Sequence, residues 1–223
     1  MTEIPKLSGP HREPVGGGSP DQLVVFLHGV GANGDDLIGL APIFQRVLPD
    51  ARFVSPNAPF SYDMAPFGYQ WFPIGTFSPA ERIKGVRQAE PILNAFIDAE
   101  LAKAGLTGEN LVLIGFSQGT MMALHVGLRR SVAPAAIIGY SGRLGGPEVL
   151  QDEIRCRPPV LLVHGDADPV LPVESLPEAE KALTDAGVPV EAHVRPGLGH
   201  GIDDEGIGFA MEFLARAFHL ADD

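Results

Sequence analysis

Residues 111–124 read LVLIGFSQGTMMAL, with a serine set between two glycines where an apolar run gives way to a helical pattern. Gly115, Phe116, Ser117, Gln118 and Gly119 form GxSxG between a strand-like and a helix-like segment, the context of a nucleophile elbow. The chemistry accounts for the spacing. A tight strand-to-helix turn holds the serine in strained backbone geometry, and side chains beside it would collide with neighbouring elements. It also puts the serine at a helix N-terminus, where the dipole and free N–H groups favour developing negative charge. A plain turn is the bland alternative, since the bare pattern also arises by chance, but the strand and helix around it favour the catalytic reading.

A serine hydroxyl is a poor nucleophile at neutral pH and needs a base in hydrogen-bond reach, with a third group holding that base in the right tautomer. Behind an elbow these partners are expected in the order acid, then histidine, each on a loop after a later strand. The run PVLLVH is followed by GDADPVLP, which offers Asp166 and Asp168. Asp166, directly after His164 and Gly165, has the ordinary alternative of bracing the turn through nearby N–H groups. Seven histidines compete for the base. His193 lies in a strand pattern, His219 near the end of the last helix, and His125 on the helix after the elbow. His11 belongs to the irregular N-terminus, and His28 and His164 precede glycines at strand ends. His200, in PGLGHGI, alone follows the candidate acids on a loop between strand and helix. Its flanking glycines allow a close approach. For the oxyanion, Gln118 supplies one backbone N–H as the residue after the nucleophile, and the loop HGVG is expected to supply the other.

That loop continues as HGVGANG, in which Gly29, Gly31 and Gly34 mimic a dinucleotide fingerprint. A nucleotide site also wants an acidic residue about 20 positions on, at the end of the next strand. Here that strand ends in Val54, Ser55 and Pro56, so the oxidoreductase reading is disfavoured.

The elements that position these residues follow from periodicity. Short apolar runs at LVVFL (23–27), ARFVS (51–55), NLVLIGF (110–116), AAIIGY (135–140), PVLLVH (159–164) and VEAHV (190–194) read as strands. Their near-continuous apolarity suits strands buried on both faces of a parallel sheet. Ser78, Pro79 and Glu81 mark a helix start. The helix that follows carries Ile83, Val86, Leu93, Ile97 and Leu101 on one face, with Pro91 an expected kink. Ile207, Met211, Leu214 and Phe218 mark a final amphipathic helix. The alternation predicts an α/β fold, a mostly parallel doubly wound sheet with helices on both faces, whose functional groups gather beyond the carboxyl ends of the strands.

With 223 residues and 45% apolar content, the chain suits one domain over 21–223, preceded by a mostly irregular segment over 1–20 with room for one edge strand. The formal charge of minus 12 disfavours nucleic acid and anionic membranes as partners, because phosphate-rich surfaces would repel it. A single cysteine, Cys156, forms no internal disulfide, and no run approaches the roughly 20 apolar residues of a membrane span. The N-terminal stretch has no apolar core of signal-peptide type, so a cytoplasmic protein without stable membrane insertion is expected. No HExxH, CxxC pair or calcium-loop spacing occurs, and no metal or other cofactor is expected.

Taken together, LHGVG, QWF, GFSQGTMMAL, HGDADPVLP and GLGHGI resemble the carboxylesterase and phospholipase family of small lidless α/β-hydrolases, which includes acyl-protein thioesterases and lysophospholipases. The motifs lie in the family's order across residues 21 to 216 or so. The resemblance implies Ser117, Asp168 and His200 as the catalytic triad and prefers Asp168 over Asp166. It also implies the backbone N–H groups of Val30 and Gln118 as the oxyanion hole, and no large cap domain. Members often read WFD where this chain has Trp71, Phe72 and Pro73, leucine at Val30 and glycine at Thr120; these departures bear on substrate range.

The segment 56–77 holds Phe60, Tyr62, Phe67, Tyr69, Trp71, Phe72 and Phe77, seven of the chain's sixteen aromatics (twelve Phe, three Tyr, one Trp). They either pack the loop onto the body or line an apolar cleft for the ester, with Trp71 and Phe72 the residues expected to do both. The expectation is a serine carboxylesterase acting on small-molecule esters of short-to-medium acyl chains. The alternatives are a lysophospholipase or acyl-protein thioesterase with a longer acyl groove and, in another class, a non-catalytic α/β binding module.

Overall fold

The computed structural model describes residues 4–75 and 78–220. Its strands, in chain order, are β1 (His11–Arg12), β2 (Gln22–Leu27), β3 (Ala51–Val54), β4 (Phe60–Ser61), β5 (Tyr69–Gln70), β6 (Leu111–Phe116), β7 (Ala136–Tyr140), β8 (Val160–Gly165) and β9 (Val190–Arg195). The helices are α1 (Gly34–Ile38), α2 (Ala41–Phe44), α3 (Pro79–Ala104), α4 (Gln118–Gly127), α5 (Leu150–Glu153), α6 (Ser175–Asp185) and α7 (Asp204–Ala217). Seven strands form the main sheet in the order β1-β3-β2-β6-β7-β8-β9, and β4 pairs with β5 in a separate hairpin. Every pair in the main sheet is parallel except β1 with β3.

Alternate residues of each central strand feed two separate cores, as the two-residue period of a strand requires. Leu23, Val25, Leu27, Leu111, Leu113 and Ile137 pack against α3, α4 and α6. Val24, Phe26, Val112, Ile114, Ile138 and Val163 pack against α1, α2 and α7 on the opposite face. Helices on both faces explain why these strands read as unbroken apolar runs rather than alternating ones. The ten residues of α4 are all buried, which matches a helix apolar all round.

Local chemistry sets the element ends. Ser78 caps α3 by accepting from the Glu81 N–H, and Gly105 closes it in the left-handed region at φ 71°. Between them the helix runs through Pro91, which lies on the exposed side. Asp203 caps α7 by accepting from Gly206 N–H at 2.8 Å. The N-terminal segment is tied down more closely than an irregular tail: beyond β1, Ser55 N–H donates to Pro10 O and Asn57 N–H to Ser8 O. The strand order reverses direction at β2, because β3 lies on one side of it and β6 on the other. Loops beyond the carboxyl ends of β2 and β6 therefore flank a crevice where ligands bind in open α/β sheets.

Candidate active site

The elbow is built by steric necessity. Ser117 sits at φ 54° and ψ −115° as the N-cap of α4, and its N–H donates to Tyr140 O at 2.9 Å. A non-glycine residue in that region costs about 1–3 kcal/mol and persists only where its surroundings over-determine it. The surroundings here are tight. A Cβ on Gly115 would lie 2.4 Å from Thr120 N, and one on Gly119 would lie 1.8 Å from Leu27 O. Thr120 has its hydroxyl 2.9 Å from both Gly115 O and Tyr140 O and shares its one proton between them. Gly139 and Gly142 leave space for it, since a Cβ on either would come within 2.5 Å of its side chain.

Ser117, His200 and Asp168 lie in one hydrogen-bonded line. His200 Nε2 is 3.0 Å from Ser117 Oγ, and His200 Nδ1 is 2.7 Å from Asp168 Oδ2. The Asp168 side chain is 0% exposed. Its Oδ1 accepts from the N–H groups of Val170 at 2.8 Å and Leu171 at 2.9 Å. Burial works against ionisation of this carboxyl, but the bonds from His200, Leu171 and Val170 outweigh it and hold its pKa below the ordinary value. An ionised Asp168 requires a proton on His200 Nδ1, which leaves Nε2 free to accept from the serine hydroxyl. His164 Nε2 approaches the same carboxylate at 3.2 Å and donates to Leu171 O at 3.0 Å.

Asp166 is engaged elsewhere. Its Oδ1 accepts from Gly197 N–H at 2.6 Å, bracing the turn after β9 rather than its own turn beside Gly165. The close approach credited to the glycines beside His200 belongs to Gly165 instead. A Cβ there would stand 2.1 Å from Leu198 O, whereas nothing lies within 4 Å of one on Gly201. Two of the other histidines have structural surroundings: His193 stacks on Phe209 with centroids 3.9 Å apart, and His125 bonds Glu90 at 3.1 Å.

The loop after β2 passes against the serine, since a Cβ on Gly29 would lie 3.4 Å from Ser117 Cβ. Its glycines thus have packing roles without a nucleotide. Gly31 adopts φ 80° beneath the Tyr62 ring, and a Cβ on Gly34 would strike Ser55 O. His28 anchors the loop by donating from Nδ1 to Gly29 O at 2.7 Å while Nε2 accepts from Ala58 N–H at 3.0 Å. Burial lowers its pKa, which suits the neutral ring this pair of bonds requires.

A cavity of about 210 Å³ opens at the serine, lined by Val30, Ile74, Ser117, Gln118, Met121, Val170 and Leu171. Val30 and Gln118, the expected oxyanion residues, both face it. Gln118 begins α4, and the first N–H groups of a helix have no acceptor within it. Trp71 and Phe72, expected to line the cleft, do not: they are 0% and 1% exposed and stand behind it. They hold the loop instead. Trp71 Nε1–H donates to His28 O at 2.9 Å, Trp71 N–H donates to Gln118 Oε1 at 2.8 Å, and Gln118 Nε2–H donates to Phe72 O at 2.8 Å. Of the remaining aromatics, Phe77 lies outside the described residues. The aliphatic walls Ile74, Met121, Val170 and Leu171 carry no chemical motif. Only the place of Met121 one turn beyond Ser117, and of Val170 and Leu171 just past Asp168, marks them.

A larger cavity of about 430 Å³ lies between α3, α5 and the segment after α4. Its walls include Arg87 and Arg129, both paired with Glu153, and charged walls do not suit an apolar acyl group. Among the described residues no group of three or more His, Cys, Asp or Glu side chains is placed to hold a metal ion, and no helix is long and apolar enough to cross a membrane.

Comparison with known proteins agrees with this arrangement. The sequence profile of the phospholipase/carboxylesterase family matches residues 15–218. Esterase YpfH of Escherichia coli is 29% identical over 205 residues, covering 88% of this chain and 84% of that protein. Acyl-protein thioesterase 1 of Neurospora crassa is 27% identical, covering 86% of this chain and 85% of its own. The crystal structure of esterase PE8 superposes with a TM-score of 0.91 at 43% identity, over 95% of this chain and 99% of that one. With a mostly parallel sheet, helices on both faces and a profile match over most of its length, the chain belongs to the phospholipase/carboxylesterase family of α/β-hydrolases, which are ester-hydrolysing serine hydrolases.

Proposed function

We propose that the protein is a serine carboxylesterase acting on small esters of short-to-medium acyl chains, with Ser117 as nucleophile, His200 as general base and acid, and Asp168 as the orienting carboxylate. Ser117 Oγ bonds to the ester carbonyl carbon as His200 Nε2 takes the hydroxyl proton. The backbone N–H groups of Val30 and Gln118 stabilise the tetrahedral oxyanion. His200 returns the proton to the departing alkoxide as the C–O bond breaks, which leaves an acyl-enzyme. Water, deprotonated by His200, then attacks the acyl carbon, and the carboxylic acid leaves as Ser117 regains its proton.

The observation that carries this reading is the pairing of the Ser117–His200–Asp168 line with an aliphatic cavity of about 210 Å³ beginning at the same serine. Sites for drug-sized ligands run to about 300–1,000 Å³, so this one suits a short or medium acyl group. One observation favours a second reading, hydrolysis of longer acyl chains as in lysophospholipids or acylated proteins. Val170, part of the cavity wall, is 61% exposed, so a longer chain has a path outward, and a relative is named acyl-protein thioesterase 1.

Hydrolysis of p-nitrophenyl esters from acetate to palmitate, with Ser117→Ala alongside, tests both. A short-chain optimum lost in the variant is expected. A palmitate optimum would favour the second reading, and no hydrolysis above the variant at any length would favour a non-catalytic binding role.

A further inference from the structure

Ser141, immediately after β7, is not part of the proposed triad, yet its backbone is strained and its side chain reaches the loop that carries the base. It is 0% exposed and adopts φ 45°, which makes it, with Ser117 and His219, one of three described non-glycine residues with positive φ. The conformation is disfavoured for any side chain, and strain of this kind persists where the surrounding structure enforces it. His219 lies past the end of α7, remote in sequence from any site residue. Ser117 and Ser141 both stand beyond the carboxyl ends of adjacent strands, β6 and β7.

The hydrogen bonds around Ser141 show what the strain maintains. Its hydroxyl donates to Gly201 O at 3.1 Å, the residue directly after His200. Its own N–H donates to Val163 O at 2.8 Å, fixing the segment to β8. The preceding residue, Tyr140, accepts from Ser117 N–H through its carbonyl at 2.9 Å. Residues 140 and 141 therefore hold the nucleophile through one bond and the base-bearing loop through another. His200 is also held by the Asp168 carboxylate at 2.7 Å and packs on the Phe116 ring with centroids 5.0 Å apart. The flanking Gly199 and Gly201 contribute no side chain, so Ser141 acts on the backbone just after the base. A glycine at 141 would relieve the backbone but remove the hydroxyl.

We infer that Ser141 is a positioning residue, whose strained backbone aims its hydroxyl at Gly201 O so that His200 Nε2 stays within hydrogen-bond distance of Ser117 Oγ. The inference rests on the proposed roles of Ser117 and His200. Misplacement of reacting groups by about 1 Å costs on the order of 10²-fold in rate, so loss of this one tether is expected to lower kcat by about 10- to 100-fold. KM for a small ester should change little, because Ser141 is absent from the cavity wall.

The test compares Ser141→Gly with Ser141→Ala, measuring kcat and KM for p-nitrophenyl acetate and the Tm of each, beside wild type and Ser117→Ala. Both Ser141 variants lack the hydroxyl, but only alanine keeps the strain. The expected result is a similar fall in kcat for both, with the glycine variant melting above the alanine variant. Activity then follows the hydroxyl while stability follows φ. Wild-type kcat in Ser141→Gly would overturn the inference, and so would activity that tracks Tm across the pair. Retained hydrolysis in Ser117→Ala would overturn the triad itself, an outcome separable from failure at Ser141 alone.

Discussion

Replacing Gly119 by alanine puts a methyl group where β2 ends. Its Cβ would stand 1.8 Å from Leu27 O, 2.4 Å from Leu27 C and 2.8 Å from His28 O. All three are backbone atoms, so no side-chain rotation relieves the contact. Retreat from 1.8 Å to 3.0 Å from the oxygen alone demands about 1.2 Å of movement between α4 and β2. Overpacking of this kind costs about 1–3 kcal/mol. The same movement separates Ser117, at the head of α4, from Val30, in the loop after β2, and a shift near 1 Å costs on the order of 10²-fold in rate. Gly208, inside α7, is the control, because nothing lies within 4 Å of a Cβ there. Alanine at that position is expected to raise stability by about 0.5–1 kcal/mol with the rate unchanged. Urea unfolding and p-nitrophenyl acetate hydrolysis read both effects. Wild-type stability and rate in Gly119→Ala would refute the account of the elbow, as would a loss of stability in both variants.

Asp168→Asn is expected to lower kcat by about 10³- to 10⁴-fold by disturbing the tautomer of His200, while Asp166→Asn, which weakens only the Gly197 turn, leaves most activity; the reverse ranking would contradict the assignment. Leu171→Ala should lengthen the preferred acyl chain, with the kcat/KM ratio of longer to shorter esters rising by up to roughly fourfold per added methylene, about 0.8 kcal/mol each. An unchanged chain-length profile would remove Leu171 from the acyl wall. His125 yields a pH dependence of stability. Burial first, then Arg129, lowers its pKa to about 4, against an opposing hydrogen bond with Glu90. The unfolded histidine takes up a proton near pH 6.5 and the folded one does not, so its contribution is whole above that pH and falls away toward pH 4, by up to roughly 3 kcal/mol. Urea titrations of wild type and His125→Gln should therefore diverge in slope between those pH values, and parallel curves would show that His125 is not the group responsible.

What the sequence disclosed was local or ordered along the chain. The elbow could be read because its serine, its glycines and both flanking elements lie in one short run from Leu111 to Gly127. The strands could be read because burial on both faces leaves them continuously apolar. His200 could be read because only it follows the candidate acids on a loop. The choice of Asp168 over Asp166 lay beyond local spacing. It depends on Gly197 N–H reaching Asp166 from the end of β9 and on Val170 and Leu171 turning back to Asp168, and family resemblance supplied the preference. The cavity walls were missed for a physical reason. Ile74, Met121, Val170 and Leu171 are ordinary aliphatics whose role depends on where loops converge. The aromatic cluster drew attention to Trp71 and Phe72, whose size suits them to packing behind the wall rather than in it. Ser141 left no trace, since a positive φ at a serine is not written in the residue type.

The central claim is that Ser117 is the nucleophile activated by His200. Intact-protein mass spectrometry after exposure to a fluorophosphonate, run on wild type and on Ser117→Ala with esterase activity followed in parallel, tests it most directly. The account predicts one adduct per wild-type chain, mapped to the peptide containing Ser117 and formed in step with loss of activity, and none in the variant. Full inactivation without an adduct on Ser117, or equal labelling of the variant, would contradict it.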